Sequence, residues 1–194
     1  TLLLVAIGAY GLGSIPFGLV IAKAMGLPDP RTIGSGNIGA TNVLRTGSKA
    51  AALATVFLDG AKGLVAVLLA RASAGEDAAQ IAALFAFLGH CYSFMLHFKG
   101  GKGVATFLGA LLGLSFVLGA TACLIWLVTC ILTRYSSLSA LVAAVANPFI
   151  AILVGGTEMV AVLVLMAAFL FLRHTENIVR LRAGTESKVG SKAA

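Results

Sequence analysis

Residues 103–133 read GVATFLGALLGLSFVLGATACLIWLVTCILT, 31 consecutive residues without an acidic or basic side chain. As one helix this run would be about 46 Å long at about 1.5 Å per residue. A hydrocarbon core is about 30 Å thick. Tilt absorbs part of that excess. Two short helices turning near Gly113 to Gly119 absorb all of it, and the choice fixes how many times the chain crosses a bilayer.

That a bilayer is the solvent follows from composition. Of 194 residues, 59% are hydrophobic and 11% charged, and the mean hydropathy is +1.02. Soluble chains carry roughly 25% charged residues, and an interior of this size cannot hide so many apolar groups from water. Further apolar runs at 2–22, 50–70, 78–98, 135–157 and 159–172 meet or approach the roughly 20 residues needed to cross. The first lacks a basic leader and a small-residue cleavage site, so it reads as a span rather than a signal peptide.

Parity then chooses. With one crossing in 103–133 there are six spans. With two there are seven, and 23–49, 99–103, Arg134 and everything from Arg173 onward share a side. That side then holds twelve of the fourteen Lys and Arg residues, all but Lys62 and Arg71. The positive-inside rule favours this arrangement. The expectation is an all-α polytopic membrane bundle of about seven helices, N-terminus outside and C-terminus cytoplasmic. A re-entrant hairpin in place of the fourth helix gives the same sidedness. Residues 1–182 are expected to form one transmembrane domain, and 183–194 a disordered polar cytoplasmic tail.

The net charge of +7 does not imply nucleic acid, because the basic residues sit at the ends of apolar runs. Cys91, Cys123 and Cys130 lie inside such runs with no metal-ligand spacing and read as small hydrophobes. No metal and no organic cofactor is expected.

Three polar stretches carry chemistry. Residues 34–39, GSGNIG, match GxGxxG, but an apolar helix rather than a strand precedes them, so no dinucleotide fold is implied. Glycines still let backbone amides approach an anion closely. Ser35, Gly36, Asn37, Thr41, Asn42 and Arg45 form a phosphate-suited set of donors. Gly100, Gly101, Lys102 and Gly103 stand just before an apolar helix, a good anion site without P-loop spacing. After the last span, His174 and Asn177 share a helical face, and Glu176 is spaced to pair with Arg180. Asp59 and Lys62 stand three apart inside a span and read as a structural ion pair. His90 and His97 read as core hydrogen-bonders. Gly109 and Gly113 mark a close helix contact.

Taken together, GSIPFGLVIAK (13–23), GSGNIGATNVLR (34–45), DGAKG (59–63), HFKGGKGVATFLG (97–109) and RHTENIVRL (173–181) resemble the bacterial acyl-phosphate:glycerol-3-phosphate acyltransferases, in family order over nearly the whole chain. The resemblance implies transfer of an acyl group from acyl-phosphate to the 1-hydroxyl of glycerol-3-phosphate. The products are lysophosphatidic acid and phosphate, the enzyme works in the bacterial inner membrane facing the cytoplasm, and its only other partner is membrane lipid, with no obligate protein partner. The family pattern often has proline where this chain has Ser93, and it has a serine beside the fifth helix, for which Ser137 is favoured over Ser136 and Ser139. No His-x4-Asp is present, as expected for a donor other than acyl-CoA.

With two phosphate-bearing substrates, two adjacent anion sites are needed. Arg45 and Lys102 supply charge, and Ser35, Asn37, Thr41 and backbone amides supply directed bonds. His174 and Asn177 hold the attacking hydroxyl. A mixed anhydride needs no enzyme nucleophile. His174 or a substrate phosphate takes the proton. Glu176 is structural. The competing class is a transporter for a small phosphorylated anion, which glycine-interrupted helices and basic loops also suit.

Overall fold

The computed structural model describes residues 1–190, and among them there is no strand. The helices are α1 Leu2–Gly13, α2 Phe17–Ala24, α3 Ala40–Val43, α4 Lys49–Cys91, α5 Val104–Leu114, α6 Phe116–Thr133, α7 Ser136–Leu153, α8 Val160–Arg173 and α9 Thr175–Arg182. Among the described residues, four stretches are long and apolar enough to cross a bilayer, or five if α8 and α9 count as one bent span. Leu153 is 84% exposed, Leu132 78% and Phe116 76%. A surface of this kind is stable against lipid and would be an aggregation liability in water.

The 103–133 run breaks where its length required. Ser115 is extended, at φ −152° and ψ 125°, and its side chain accepts from the Leu118 amide as the N-cap of α6. At 11 residues, α5 is about 16 Å long and does not span by itself. Its packing rests on small residues, as the Gly109 spacing predicts. A Cβ on Gly109 would stand 2.0 Å from the Gly60 carbonyl oxygen, so α4 and α5 touch backbone to backbone.

Within α4 the chain reverses at Gly75, which is non-helical at φ 83° and ψ −167°. Asp59 and His90 come within 3.5 Å, whereas a straight helix would hold residues that far apart in sequence about 46 Å from each other. The two arms zip through Ala66 and Ala70 against Ala78, Ala82 and Ala86, with Ala9 of α1 in the same cluster. The larger core gathers Phe87, Phe107, Leu111, Leu118, Leu163, Met166 and Leu170.

Two expected spans stay long and apolar enough to cross, but neither is one continuous helix over its whole run. The 2–22 run is not one helix, because Pro16 has no amide to donate and the ladder stops at Gly13. The exposed carbonyls find side chains instead. Lys62 Nζ donates to the Ile15 oxygen at 2.7 Å, and Ser93 Oγ donates to the Ser14 oxygen at 2.6 Å. Ser93 has φ −60°, the angle a proline imposes, so serine keeps the turn and adds a tie to α1. The 78–98 run ends at Cys91, because the chain turns back and the Gly100 and Gly101 amides bond to the Cys91 and His90 carbonyls. His97 therefore lies exposed in a turn at φ 51° and is not a core residue, whereas His90 is buried.

Candidate active site

The polar segments between helices converge at one end of the bundle. Thr41 of α3 faces Ser136 of α7, hydroxyl to hydroxyl at 3.2 Å. Lys102 Nζ donates to Asn177 Oδ1 of α9. Arg173 donates to the Gly101 and Gly100 carbonyls at 3.1 and 2.9 Å, with its guanidinium 5.2 Å from the centre of the Tyr92 ring. Between α8 and α9 the chain bends by 64°. His174 sits in that bend, 2% exposed, and its Nδ1 donates to the Leu170 oxygen at 2.8 Å, which leaves Nε2 as the ring's acceptor.

Two cavities meet here. The larger, about 730 Å³, has a polar wall from Ser35, Asn37, Thr41, Arg45, Lys102, Ser137, His174 and Asn177. Its other wall is apolar, from Val56, Leu108, Trp126 and Leu127. The smaller, about 310 Å³, is lined by Ser35, Gly36, Asn37, Gly100 and Lys102 with Arg173 and Glu176. Ser35, Asn37 and Lys102 belong to both. Burial, and next the Arg180 charge, push the Lys102 ammonium below the usual lysine range, against the pull of Glu186 and Glu176.

This end of the molecule therefore offers two adjoining polar chambers that share one lysine, beside an apolar flank. The model of the glycerol-3-phosphate acyltransferase family matches residues 3–184. The chain belongs to that family. It is 60% identical over 183 residues to the glycerol-3-phosphate acyltransferase of Roseobacter denitrificans, covering 94% of this chain and 92% of the relative. To that of Cereibacter sphaeroides it is 55% identical over 193 residues, covering 100% and 92%. The crystal structure of PlsY (YgiH), an integral membrane glycerol 3-phosphate acyltransferase, in its glycerol 3-phosphate form is 39% identical with a TM-score of 0.91, over 97% of this chain and 96% of that one. Its lysophosphatidic acid form gives 38% and 0.89, over 96% and 94%. The protein is thus a membrane enzyme of glycerol-3-phosphate acylation, and the transporter alternative falls away.

Within this acyltransferase not every predicted ligand faces a cavity with a free donor. Asn42 lines the larger one, but its Nδ2 donates to the Pro30, Ile33 and Asn37 carbonyls at 2.5, 3.1 and 2.8 Å. Its Oδ1 accepts from the Ser35 amide at 3.1 Å. Asn42 is the hub that folds the glycine loop, with nothing left to give a phosphate. The Gly36 amide is likewise spent on the Ile33 oxygen, and those of Gly100 and Gly101 on Cys91 and His90. These glycines shape their loops rather than aim amides at an anion. Ser136 and Ser137 both reach the larger cavity, while Ser139 is buried and bonds back to the Tyr135 oxygen.

Asp59 and Lys62 pair at 2.8 Å, with side chains 2% and 1% exposed, and Asp59 reaches the floor of the larger cavity beside His90. Cys123 lines its α6 wall among Trp126 and Leu127, while Cys91 is in the core. Among the described residues no group of three or more His, Cys, Asp or Glu is placed to hold a metal ion.

Sequence reading missed Glu186 and Arg173. The tail from 183 reads as free polar chain, yet residues 183–190 fold back over the site; 191–194 lie outside the described residues. Glu186 Oε2 takes the Arg180 Nε at 2.7 Å, whereas Glu176 reaches Arg180 only at 3.8 Å and is 85% exposed. Burial pushes the Glu186 carboxyl up, but hydrogen bonds from Ser137, Asn177 and Arg180 outweigh it and hold it below the usual glutamate range.

Proposed function

We propose that this enzyme transfers a fatty acyl group from acyl-phosphate to the 1-hydroxyl of glycerol-3-phosphate, giving lysophosphatidic acid and inorganic phosphate. The observation that carries the reading is the pair of adjoining polar cavities with Ser35, Asn37 and Lys102 in their common wall. Both substrates bear a phosphate, and a lysine shared by both cavities lessens the repulsion between two anions held side by side. The apolar flank of the larger cavity suits an acyl chain entering from the membrane. Arg45 adds a second fixed charge, and the Ser35, Thr41 and Ser137 hydroxyls with the Asn37 amide give direction.

Acyl-phosphate is a mixed anhydride with phosphate as leaving group, so catalysis reduces to alignment and charge stabilisation. Holding hydroxyl and carbonyl in attack geometry supplies roughly 7–11 kcal/mol at best. His174 and Asn177 hold the hydroxyl. With Nδ1 committed to the Leu170 oxygen, His174 offers Nε2 to that proton, and a phosphate oxygen of the bound substrate is the competing acceptor. No obligate protein partner is needed for this chemistry.

The same reading places the enzyme in the bacterial inner membrane with seven passes, the fourth completed by the short α5 together with the loop that precedes it, and with its active end cytoplasmic. The basic loops at 23–49, 99–103 and 134 and the segment from Arg173 meet at a single end of the bundle, which supports that sidedness. The test is phosphate release by the purified protein in lipid, given palmitoyl-phosphate with and without glycerol-3-phosphate. Release that depends on glycerol-3-phosphate, with lysophosphatidic acid as product, is expected. Activity with acyl-CoA and silence with acyl-phosphate would overturn the donor assignment.

A further inference from the structure

We propose that Glu186 is a positioning residue for this reaction: its carboxylate locks the Asn177 amide, and through that amide sets where Lys102 points. The proposal rests on the function just proposed. Glu186 stands on the segment that follows α9, with its side chain 7% exposed. Oε1 accepts from Ser137 Oγ at 2.6 Å and from Asn177 Nδ2 at 2.5 Å, and Oε2 accepts from Arg180 Nε at 2.7 Å. One carboxylate therefore gathers side chains from α7 and α9, and two of them, Ser137 and Asn177, are candidate substrate contacts.

The amide is the decisive group. Its Oδ1 accepts from Lys102 Nζ, and its Nδ2 donates to Glu186. An amide held between an ammonium and a carboxylate has one favourable orientation. Flipping it sets NH2 against NH3+ and a carbonyl against a carboxylate, two repulsive contacts in a buried place. Asn177 is 7% exposed, so solvent offers little relief. Without the carboxylate the amide loses this lock, and the ammonium shared by both cavities loses a fixed acceptor.

The segment carrying Glu186 is tied to the site on both sides. Arg45 donates to Ser187 Oγ at 2.5 Å. Val189 and Arg134 exchange bonds, 2.8 Å from the Val189 amide and 3.1 Å from the Arg134 guanidinium. These ties are polar, and they hold Glu186 in the wall of the larger cavity. A carboxylate so placed has a rival interpretation, a stand-in for substrate phosphate that must be displaced. The two differ in sign: removing a competitor tightens glycerol-3-phosphate binding, and removing a positioning group slows turnover.

The experiment compares wild type, Glu186→Ala, Glu186→Gln, Asn177→Ala and Asn177→Ala/Glu186→Ala, all full-length in lipid. Rates of glycerol-3-phosphate-dependent phosphate release are taken per folded enzyme. Glu186→Ala is expected to lower kcat about a hundredfold, the effect of a misplacement of about 1 Å. Glu186→Gln recovers at least about tenfold of that, because its amide oxygen still accepts from Asn177 and Ser137. In the Asn177→Ala background the second change slows the enzyme by no more than about twofold, since the group it acts through is gone. A carboxylate that merely steadies the fold would slow both backgrounds equally, and that result overturns the proposal. So does a wild-type kcat in Glu186→Ala, or a lowered KM for glycerol-3-phosphate. A silent wild type overturns the proposed function and this role with it, whereas an active wild type with an indifferent Glu186 overturns the role alone.

Discussion

Gly101→Ala tests the seating of the loop that carries Lys102. A Cβ at residue 101 would lie 2.1 Å from His90 Nε2 and 3.0 Å from both adjacent ring carbons. Ordinary contact begins near 3.4 Å, so methyl and ring must separate by about 1.3 Å. The ring has nowhere to go. His90 is 4% exposed, and its Nδ1 is 3.5 Å from Asp59 Oδ1, which Lys62 holds at 2.8 Å. The loop must therefore lift, against the Gly101 amide bond to the His90 oxygen at 3.0 Å and the Arg173 bond to the Gly101 oxygen at 3.1 Å. Overpacking of this kind costs about 1–3 kcal/mol of stability. A lift of about 1 Å at Lys102 costs about a hundredfold in rate. The assay is kcat/KM for glycerol-3-phosphate beside thermal unfolding in detergent. Activity within about a factor of two of wild type, ~0.4 kcal/mol in barrier, with an unchanged midpoint would refute the account of how the loop is seated.

Lys62→Met leaves the Asp59 carboxylate without its ammonium and should cost about 3–5 kcal/mol, while Asp59→Asn/Lys62→Met should cost less than the two single changes added; detergent unfolding midpoints of the three variants check this, and additive losses would deny the pairing. Lys102→Ala and His174→Ala should each lower turnover at least about tenfold, and wild-type rates in both folded variants would remove them from the mechanism. Because burial and Arg180 lower the Lys102 pKa, kcat/KM for glycerol-3-phosphate should fall as pH rises, with a midpoint below the ordinary lysine value of about 10.4. The charged form is present below that midpoint and lost above it, and Lys102→Arg should abolish the limb within the accessible range; a limb unchanged in Lys102→Arg assigns the titration elsewhere.

Long-range consequences of local chemistry were legible in the sequence. A 31-residue uncharged run exceeds one crossing, and the chain breaks at Ser115. Glycines four apart announce a close helix contact, and Gly109 meets the Gly60 backbone. What the sequence hides is which donors are already spent. Asn42 and Asn37 look alike in the glycine loop, but only tertiary geometry directs the Asn42 amide to three carbonyls of its own loop. Gly100 and Gly101 look like an anion cradle, yet their amides close the turn onto Cys91 and His90. Pro16 was a visible helix breaker inside an apolar run, and length was the weaker guide there. Glu186 had a visible cue, one carboxylate among basic residues after the last helix, but polar composition alone reads as solvated tail.

The buried charges explain how such a site can be carried on broken helices inside a bilayer. Each break frees backbone groups that lipid cannot satisfy. Lys62 answers one break by donating to Ile15, and its other partner, Asp59, lies between it and His90. His90 in turn supports the second break, since its carbonyl anchors the Gly101 amide and its ring lies under Gly101. A chain of contacts therefore runs from the kink after α1 to the loop that presents Lys102. Replacing Asp59 and Lys62 with a well-packed apolar pair could preserve stability while losing that registration, because apolar side chains pack in several ways and an ion pair with named hydrogen-bond partners does so in far fewer. On this argument the intramembrane charges are retained for where they hold the loop, and their energetic contribution to the bundle is secondary.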